Sequence, residues 1–105
     1  MVAPLRVGIA GLGTVGAEVV RLIEAQARML SERSGRGVRV VAVTARSKAK
    51  KRSLDLRGIE WAKSPLALAN DPKVDCFVEL MGGSGEPALS AIEAALKSGK
   101  SVVTA

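Results

Sequence analysis

A glycine-rich hexapeptide between a short apolar run and a long helical pattern limits what this chain can fold into more than any other feature. Residues 5–10 are largely apolar, and Gly11-Leu12-Gly13-Thr14-Val15-Gly16 follows them directly. From Thr14 onward, apolar residues recur at helical spacing, which predicts a long amphipathic helix. Its predicted apolar side carries Val15, Val19, Leu22 and Ile23. A strand, a glycine turn and a helix in this order are typical of a dinucleotide-binding βαβ unit.

The three glycines of the hexapeptide have separate tasks in such a unit. Gly11 permits the tight turn, Gly13 lets a pyrophosphate approach the backbone, and Gly16 allows the helix to pack closely on the strand. The N-terminus of the helix supplies free N–H donors and the positive end of the helix dipole to the phosphates. We therefore predict that all six residues of the hexapeptide border a bound dinucleotide. A purely structural turn is the alternative.

The remainder of the chain continues the alternation of strands and helices. We predict strands over 38–44, 59–62, 74–80 and 101–105, helices over 65–69 and 86–97, and a short helix or loop over 48–57. Ser64 followed by Pro65 is typical of a helix N-terminus. The order predicts an α/β fold, a Rossmann-type doubly wound parallel sheet covered on both faces. Because the last strand lacks a closing helix, we expect residues 1–105 to be part of a longer protein.

The end of the second predicted strand indicates which dinucleotide is bound. The segment Ala45-Arg46-Ser47-Lys48 occupies the position that contacts the adenosine ribose, and it contains no acid. Glu32 lies about 20 residues after Gly11, but it belongs to the end of the long helix and not to a strand end. A guanidinium, a hydroxyl and an ammonium can contact a 2′-phosphate. The segment therefore favours NADP, with NAD as a possibility, and a solvated basic turn is the alternative.

A second glycine turn, Met81-Gly82-Gly83, follows the strand predicted over 74–80. It falls at the carboxyl end of the sheet, where open α/β folds hold their ligands. The glycines would let the backbone pass close to the ribose or nicotinamide, although a plain glycine turn has the same pattern. Glu79, at the end of the strand, is expected to act as a hydrogen-bond acceptor and not as a catalytic residue.

The net charge of +6 is local. Residues 28–52 hold nine basic residues and one acid, so the rest of the chain is slightly acidic. A solvated charged face and an edge that attracts a phosphate-bearing cofactor both explain this patch. The two aromatic residues, Trp61 and Phe77, lie outside it and offer no stacking platform for bases. We therefore predict no nucleic-acid partner.

Residue types that are missing or rare exclude several other classes of protein. The chain has no histidine and one cysteine, Cys76, so we predict no metal site and a plain core thiol. With no tyrosine either, a proton could be transferred only by Lys, Asp or Glu. The apolar runs are shorter than the roughly 20 residues that span a bilayer, and no signal peptide precedes the first strand. We expect no membrane anchor and a cytoplasmic protein.

Three motifs together carry a family resemblance. Gly-Leu-Gly-Thr-Val-Gly at 11–16, Val-Glu-Leu-Met-Gly-Gly at 78–83 and Gly-Lys-Ser-Val-Val-Thr-Ala at 99–105 resemble the N-terminal part of homoserine dehydrogenase. The resemblance implies an oxidoreductase that interconverts L-homoserine and L-aspartate 4-semialdehyde with NAD(P), on the pathway to threonine and methionine. It also implies a homo-oligomer whose small amino-acid substrate binds in a later, dimerising domain that is absent here.

The resemblance assigns cofactor contacts to this chain and no catalytic residue. The family's active-site lysine follows Val-Val-Thr-Ala and so lies beyond Ala105, which implies that the chain alone is inactive. Two alternatives remain open: a free-standing NAD(P)-sensing module without catalysis, and a basic nucleic-acid adaptor. The positions carried over are Leu12, Thr14, Val15, Arg46 with its neighbours, Met81, Gly82 and Thr104.

Overall fold

A computed structural model of the chain describes residues 3–34, 37–46, 56, 58–82 and 85–104. The strands are β1 (Leu5–Ala10), β2 (Val38–Thr44), β3 (Glu60–Trp61), β4 (Cys76–Glu79) and β5 (Ser101–Thr104). The helices are α1 (Thr14–Ser34), α2 (Pro65–Ala69) and α3 (Ala88–Lys97). The predicted alternation of strands and helices is confirmed, whereas most of the segment 48–57 lies outside the described residues.

The described strands form one parallel sheet in the order β3-β2-β1-β4-β5. The chain builds β1, β2 and β3 outward in one direction, then crosses back to place β4 on the other side of β1. The strand order therefore reverses between β1 and β4, and a crevice opens there at the carboxyl ends of the strands. The predicted Rossmann-type doubly wound sheet is confirmed.

Each face of the sheet has its own hydrophobic core. On one face, Val7 and Ile9 of β1 pack with Val20 of α1. On the other face, Ala10 packs with Leu68 of α2 and with residues of α3. Successive side chains of a strand point to opposite faces, so a strand covered on both faces must be apolar nearly throughout. This double burial explains the uninterrupted apolar runs in the sequence.

Helix α2 begins, and helix α3 ends, where the local sequence predicts, whereas α3 begins at Ala88, two residues after its predicted start. The hydroxyl of Ser64 accepts a hydrogen bond from the Ala67 N–H at 3.0 Å, and Pro65 opens α2. Helix α3 ends at Ser98, after which Gly99 adopts a φ of +80°, in the left-handed region that favours glycine. A serine cap followed by proline, and a left-handed glycine after the last turn, are therefore sufficient to set these two helix ends.

The buried side of α1 agrees only in part with the apolar side that its spacing predicts. Val19 and Ile23 are half-buried and pack against the core, as predicted. Gly16, Ala17 and Val20 face the sheet, whereas the side chains of Val15 and Leu22 are 60% and 59% exposed. Gly16 makes the closest approach, to the carbonyl oxygen of Gly11, and Val15 and Leu22 lie on the side of the helix that faces solvent. Within the described part of the chain, no helix combines the length and the apolar character that a membrane span requires.

Candidate dinucleotide-binding site

Two loops leave the sheet side by side at the crevice between β1 and β4. The Gly11 N–H donates to the carbonyl of Thr44 in β2 at 2.8 Å, and the Leu80 N–H donates to the carbonyl of Ala10 in β1 at 2.9 Å. These bonds continue the sheet ladders by one residue on each side of β1. The first loop, residues 11–13, and the second loop, which begins at Leu80, therefore start from fixed and adjacent positions.

The geometry explains, separately for each glycine of the first motif, why that position lacks a side chain. Gly11 has a φ of +104°, and a Cβ added there would lie 2.8 Å from the carbonyl of Leu80 in the second loop. A Cβ at Gly16 would lie 1.9 Å from the carbonyl oxygen of Gly11. At Gly13, no atom of the described residues comes within 4 Å of an added Cβ. Gly11 and Gly16 are thus required by packing, whereas Gly13 leaves an open approach to the backbone.

The N-terminus of α1 meets this open approach. The helix starts at Thr14, the Ala17 N–H donates to the carbonyl of Gly13 at 2.9 Å, and no acidic residue occupies the first turn. The first N–H groups of a helix have no partner within it, and the dipole makes that end positive. Thr14 and Val15 are exposed beside these donors, while Leu12 is buried and anchors the loop in the core. The arrangement fits a diphosphate.

The end of β2 carries the predicted ribose-contacting segment. Thr44 is buried, Ala45 is half-buried and Arg46 is exposed at the same end of the sheet as the first loop. Ser47 and Lys48 lie outside the described residues. Glu32 belongs to α1, roughly 27 Å along the helix axis from Thr14 at 1.5 Å per residue. The structure therefore agrees with setting Glu32 aside as a ribose ligand.

The second loop and the end of β5 border the crevice on its other side. Met81 is half-buried, Gly82 is exposed with a φ of +78°, and Thr104 is exposed at the end of β5. Gly83 lies outside the described residues. Glu79 is 4% exposed and accepts hydrogen bonds from the Met81 N–H at 2.7 Å and from the Thr104 hydroxyl at 2.5 Å. Its predicted role as an acceptor is confirmed.

An open cleft of about 620 Å³ lies at the opposite end of the sheet, where the strands begin. Asn70, Pro72, Asp75 and Lys100 are among its lining residues. The carboxylate of Asp75 is engaged by the guanidinium of Arg6, with two N–O distances of 3.0 and 3.1 Å. This cleft is remote from the glycine loops, so the carboxyl end of the sheet is the better candidate for the ligand.

Comparison with known proteins decides the family. The family model described as "Homoserine dehydrogenase, NAD binding domain" matches residues 11–105, which include the first glycine loop and the second. The chain belongs to this family. The resemblance of the three motifs to homoserine dehydrogenase is thereby confirmed, and the match supports binding of a nicotinamide dinucleotide.

Individual relatives agree with the family assignment. The homoserine dehydrogenase of Pseudomonas aeruginosa is 38% identical over 105 residues, which are 97% of this chain and 23% of that protein. A crystal structure of S. aureus homoserine dehydrogenase superposes on all of this chain with a TM-score of 0.88 and 32% identity, over 26% of that chain. A structure of biliverdin reductase from Synechocystis, in complex with biliverdin and NADP+, superposes on 96% of this NAD-binding domain and covers 29% of that chain, with a TM-score of 0.72 and 27% identity. The domain thus spans about a quarter of the length of the homoserine dehydrogenases it matches.

Proposed function

We propose that residues 1–105 form the coenzyme-binding domain of a homoserine dehydrogenase. The whole enzyme interconverts L-homoserine and L-aspartate 4-semialdehyde, and the bound coenzyme supplies hydride transfer at its nicotinamide ring. The observation that carries the proposal is the glycine loop, whose three glycines each meet the separate requirement of a dinucleotide fold at the point where the strand order reverses. The substrate and the contacts between subunits belong to the rest of the enzyme.

The residues of this domain bind and orient the coenzyme. The N–H groups at the start of α1 donate to the diphosphate, and Gly13 leaves the space for it. The segment 45–48 takes the adenosine ribose, and Met81, Gly82, Gly83 and Thr104 take the nicotinamide half. None of these side chains is assigned a catalytic role, so the chain alone should turn over no homoserine. Turnover that scales with the amount of this chain would contradict the assignment. We further propose that the enzyme works in the cytoplasm, in line with its membership of a family of biosynthetic dehydrogenases.

Substitution of Gly13 tests the binding mode. Gly13→Val should abolish binding of NADH and NADPH in calorimetry, because a branched side chain would fill the open approach to the backbone. Circular dichroism should show the same helix content as the unmodified chain. The matched control is Gly37→Val before β2, where an added Cβ makes an ordinary 3.5 Å contact with Pro4. Unchanged coenzyme affinity in Gly13→Val would contradict the proposal.

We also propose that NADP is the preferred coenzyme. Arg46 is exposed at the end of β2, no acid occupies 45–48, and the related biliverdin reductase structure contains NADP+. A guanidinium bound to a 2′-phosphate makes charge-assisted hydrogen bonds. Arg46→Ala should therefore weaken NADPH about ten- to a hundredfold and leave NADH nearly unchanged. Equal weakening of both coenzymes would remove the support for NADP, and binding of DNA that falls steeply with salt would favour a nucleic-acid role instead.

A further inference from the structure

A buried carboxylate stands beneath the proposed nicotinamide side of the crevice. Glu79 is the one charged residue that is buried among those the structure describes, with 4% of its surface exposed. Burying a charge is costly unless hydrogen bonds satisfy it. The last position of a core strand would accept an apolar side chain without this cost. The presence of glutamate there therefore needs a reason beyond packing.

Both oxygens of the Glu79 carboxylate bind groups that border the crevice. One oxygen accepts the N–H of Met81, the second residue of the second loop, at 2.7 Å. The other accepts the hydroxyl of Thr104 at 2.5 Å, across the β4–β5 ladder in which Glu79 and Thr104 are partners. A single side chain thus fixes the loop after β4 and the end of β5. Both lie at the carboxyl end of the sheet, where the crevice opens.

The positions of Met81 and Thr104 indicate which half of the coenzyme would lie near them. The diphosphate lies at the start of α1 and the adenosine ribose at the end of β2, on one side of β1. The nicotinamide half then extends to the other side, over β4 and β5. Gly11 packs against the backbone of Leu80 and Met81, where an added Cβ would lie 2.8 to 3.0 Å from those atoms. The second loop is therefore held between the first loop and Glu79.

Glu79 also determines the polarity that Thr104 presents. The Met81 N–H and the Thr104 hydroxyl both donate to Glu79, so the hydroxyl hydrogen of Thr104 is committed to this carboxylate. The oxygen of this exposed hydroxyl then offers lone pairs only. It can receive a hydrogen bond from a donor on the ligand, and the hydroxyls and carboxamide of nicotinamide riboside are such donors.

We propose that Glu79 is a positioning residue for the nicotinamide half of the coenzyme, which it serves by holding Met81 in place and by making Thr104 an obligatory hydrogen-bond acceptor. Glu79 itself does not touch the coenzyme. The proposal rests on the proposed function, because it takes the dinucleotide to lie across this crevice.

Glu79→Gln is the diagnostic variant. The glutamine carbonyl can still accept the Met81 N–H, but its amide would donate to Thr104 and turn the Thr104 hydroxyl hydrogen toward the ligand. We expect NADH to bind about tenfold more weakly, and ADP-ribose, which lacks nicotinamide, to bind within about twofold of the unmodified chain. A merely structural glutamate would be rescued by glutamine. Titration calorimetry measures both ligands.

Three further variants complete the test. Thr104→Val should reproduce the selective loss of NADH affinity, Thr104→Ser should retain it, and Glu93→Gln on the exposed face of α3 is the matched control. Glu79→Gln that binds NADH normally would overturn the positioning role, and so would an equal loss of ADP-ribose. Equal affinity of the unmodified chain for NADH and ADP-ribose would also overturn it, because the nicotinamide would then contribute nothing to binding. If the unmodified chain binds neither ligand, the proposed function itself fails.

Discussion

Two carboxylates at opposite ends of one strand serve different purposes. Asp75, just before β4, accepts hydrogen bonds from the backbone N–H of Arg6 at 2.9 Å and from two nitrogens of its guanidinium, and it is partly exposed. Glu79, at the other end of β4, is buried and accepts hydrogen bonds from the neutral groups of Met81 and Thr104. One carboxylate has a charged partner in β1, and the other has none among these donors.

The difference shows how the two carboxylates divide stability from binding. At the amino end, Asp75 joins the starts of β1 and β4, and its hydrogen bond raises the pKa of the Arg6 guanidinium above its ordinary value. At the carboxyl end, the loops are held by backbone packing and by Glu79, which leaves donors and acceptors oriented for a ligand. We therefore expect variants at the amino end to change unfolding, and variants at Glu79 to change coenzyme affinity.

The largest effect is expected from the packed backbone at the carboxyl end. Gly16→Ala would place a Cβ 1.9 Å from the Gly11 carbonyl oxygen, a backbone atom that can move only with the whole loop. Unfolding in urea should show a loss of about 3 kcal/mol. Gly13→Ser is the control, because its Cβ meets open space at the helix N-cap, a position that favours serine. Equal midpoints for the two variants would contradict the packing argument.

An intermediate effect is expected at the amino end. Asp75→Ala removes the acceptor of the Arg6 N–H and of its guanidinium, so the urea midpoint should fall, though less than in Gly16→Ala. Asp75→Asn keeps an acceptor for the N–H and should recover part of the loss. The remaining advantage of Asp75 should shrink as salt is added, since this pair is partly exposed. Weakened NADH binding in a still folded Asp75→Ala would contradict the division of roles between Asp75 and Glu79.

The smallest effect is expected at Cys76, the first residue of β4. Burial, with a lesser contribution from the charge of Asp75, raises the pKa of this thiol above its ordinary value of 9.0. The folded chain therefore retains the thiol proton at pH values where the unfolded chain has lost it. Stability should be unaffected by Cys76 below about pH 9 and should fall as pH rises above that value. Stability curves of the unmodified chain and Cys76→Ala that stay parallel from pH 7 to pH 10 would exclude this linkage.

Local sequence determined where the elements begin and end. The strands Leu5–Ala10 and Val38–Thr44 coincide with their apolar runs, and α2 starts at the Ser64–Pro65 pair. These features depend on neighbouring residues, because strand preference, proline geometry and a serine cap act over a few positions. The first glycine motif is local for the same reason, and it sufficed to predict a dinucleotide fold.

Neighbouring residues alone do not determine the whole buried side of α1. Spacing alone grouped Val15 and Leu22 with the apolar side, yet both are exposed, because the helix docks through Gly16, Ala17 and Val20. Which side of a helix faces the sheet depends on how closely the two backbones approach. That distance is set by the contact between Gly16 and the Gly11 carbonyl and by the core that Val20 shares with Val40 and Val43 of β2, a later part of the chain.

At the candidate binding site, the hydrogen-bond partners of Glu79 likewise could not be predicted from neighbouring residues. The sequence indicates an acid at the end of an apolar strand, and so an acceptor, but not what it binds. Its partner Thr104 is 25 residues away in the chain and reaches it because β5 pairs with β4 in a defined register. The sequence by itself thus determined the elements, the glycine loop and the family motifs. The tertiary structure decided which side chains meet, because hydrogen bonds and close packing depend on distances between segments that are remote in sequence.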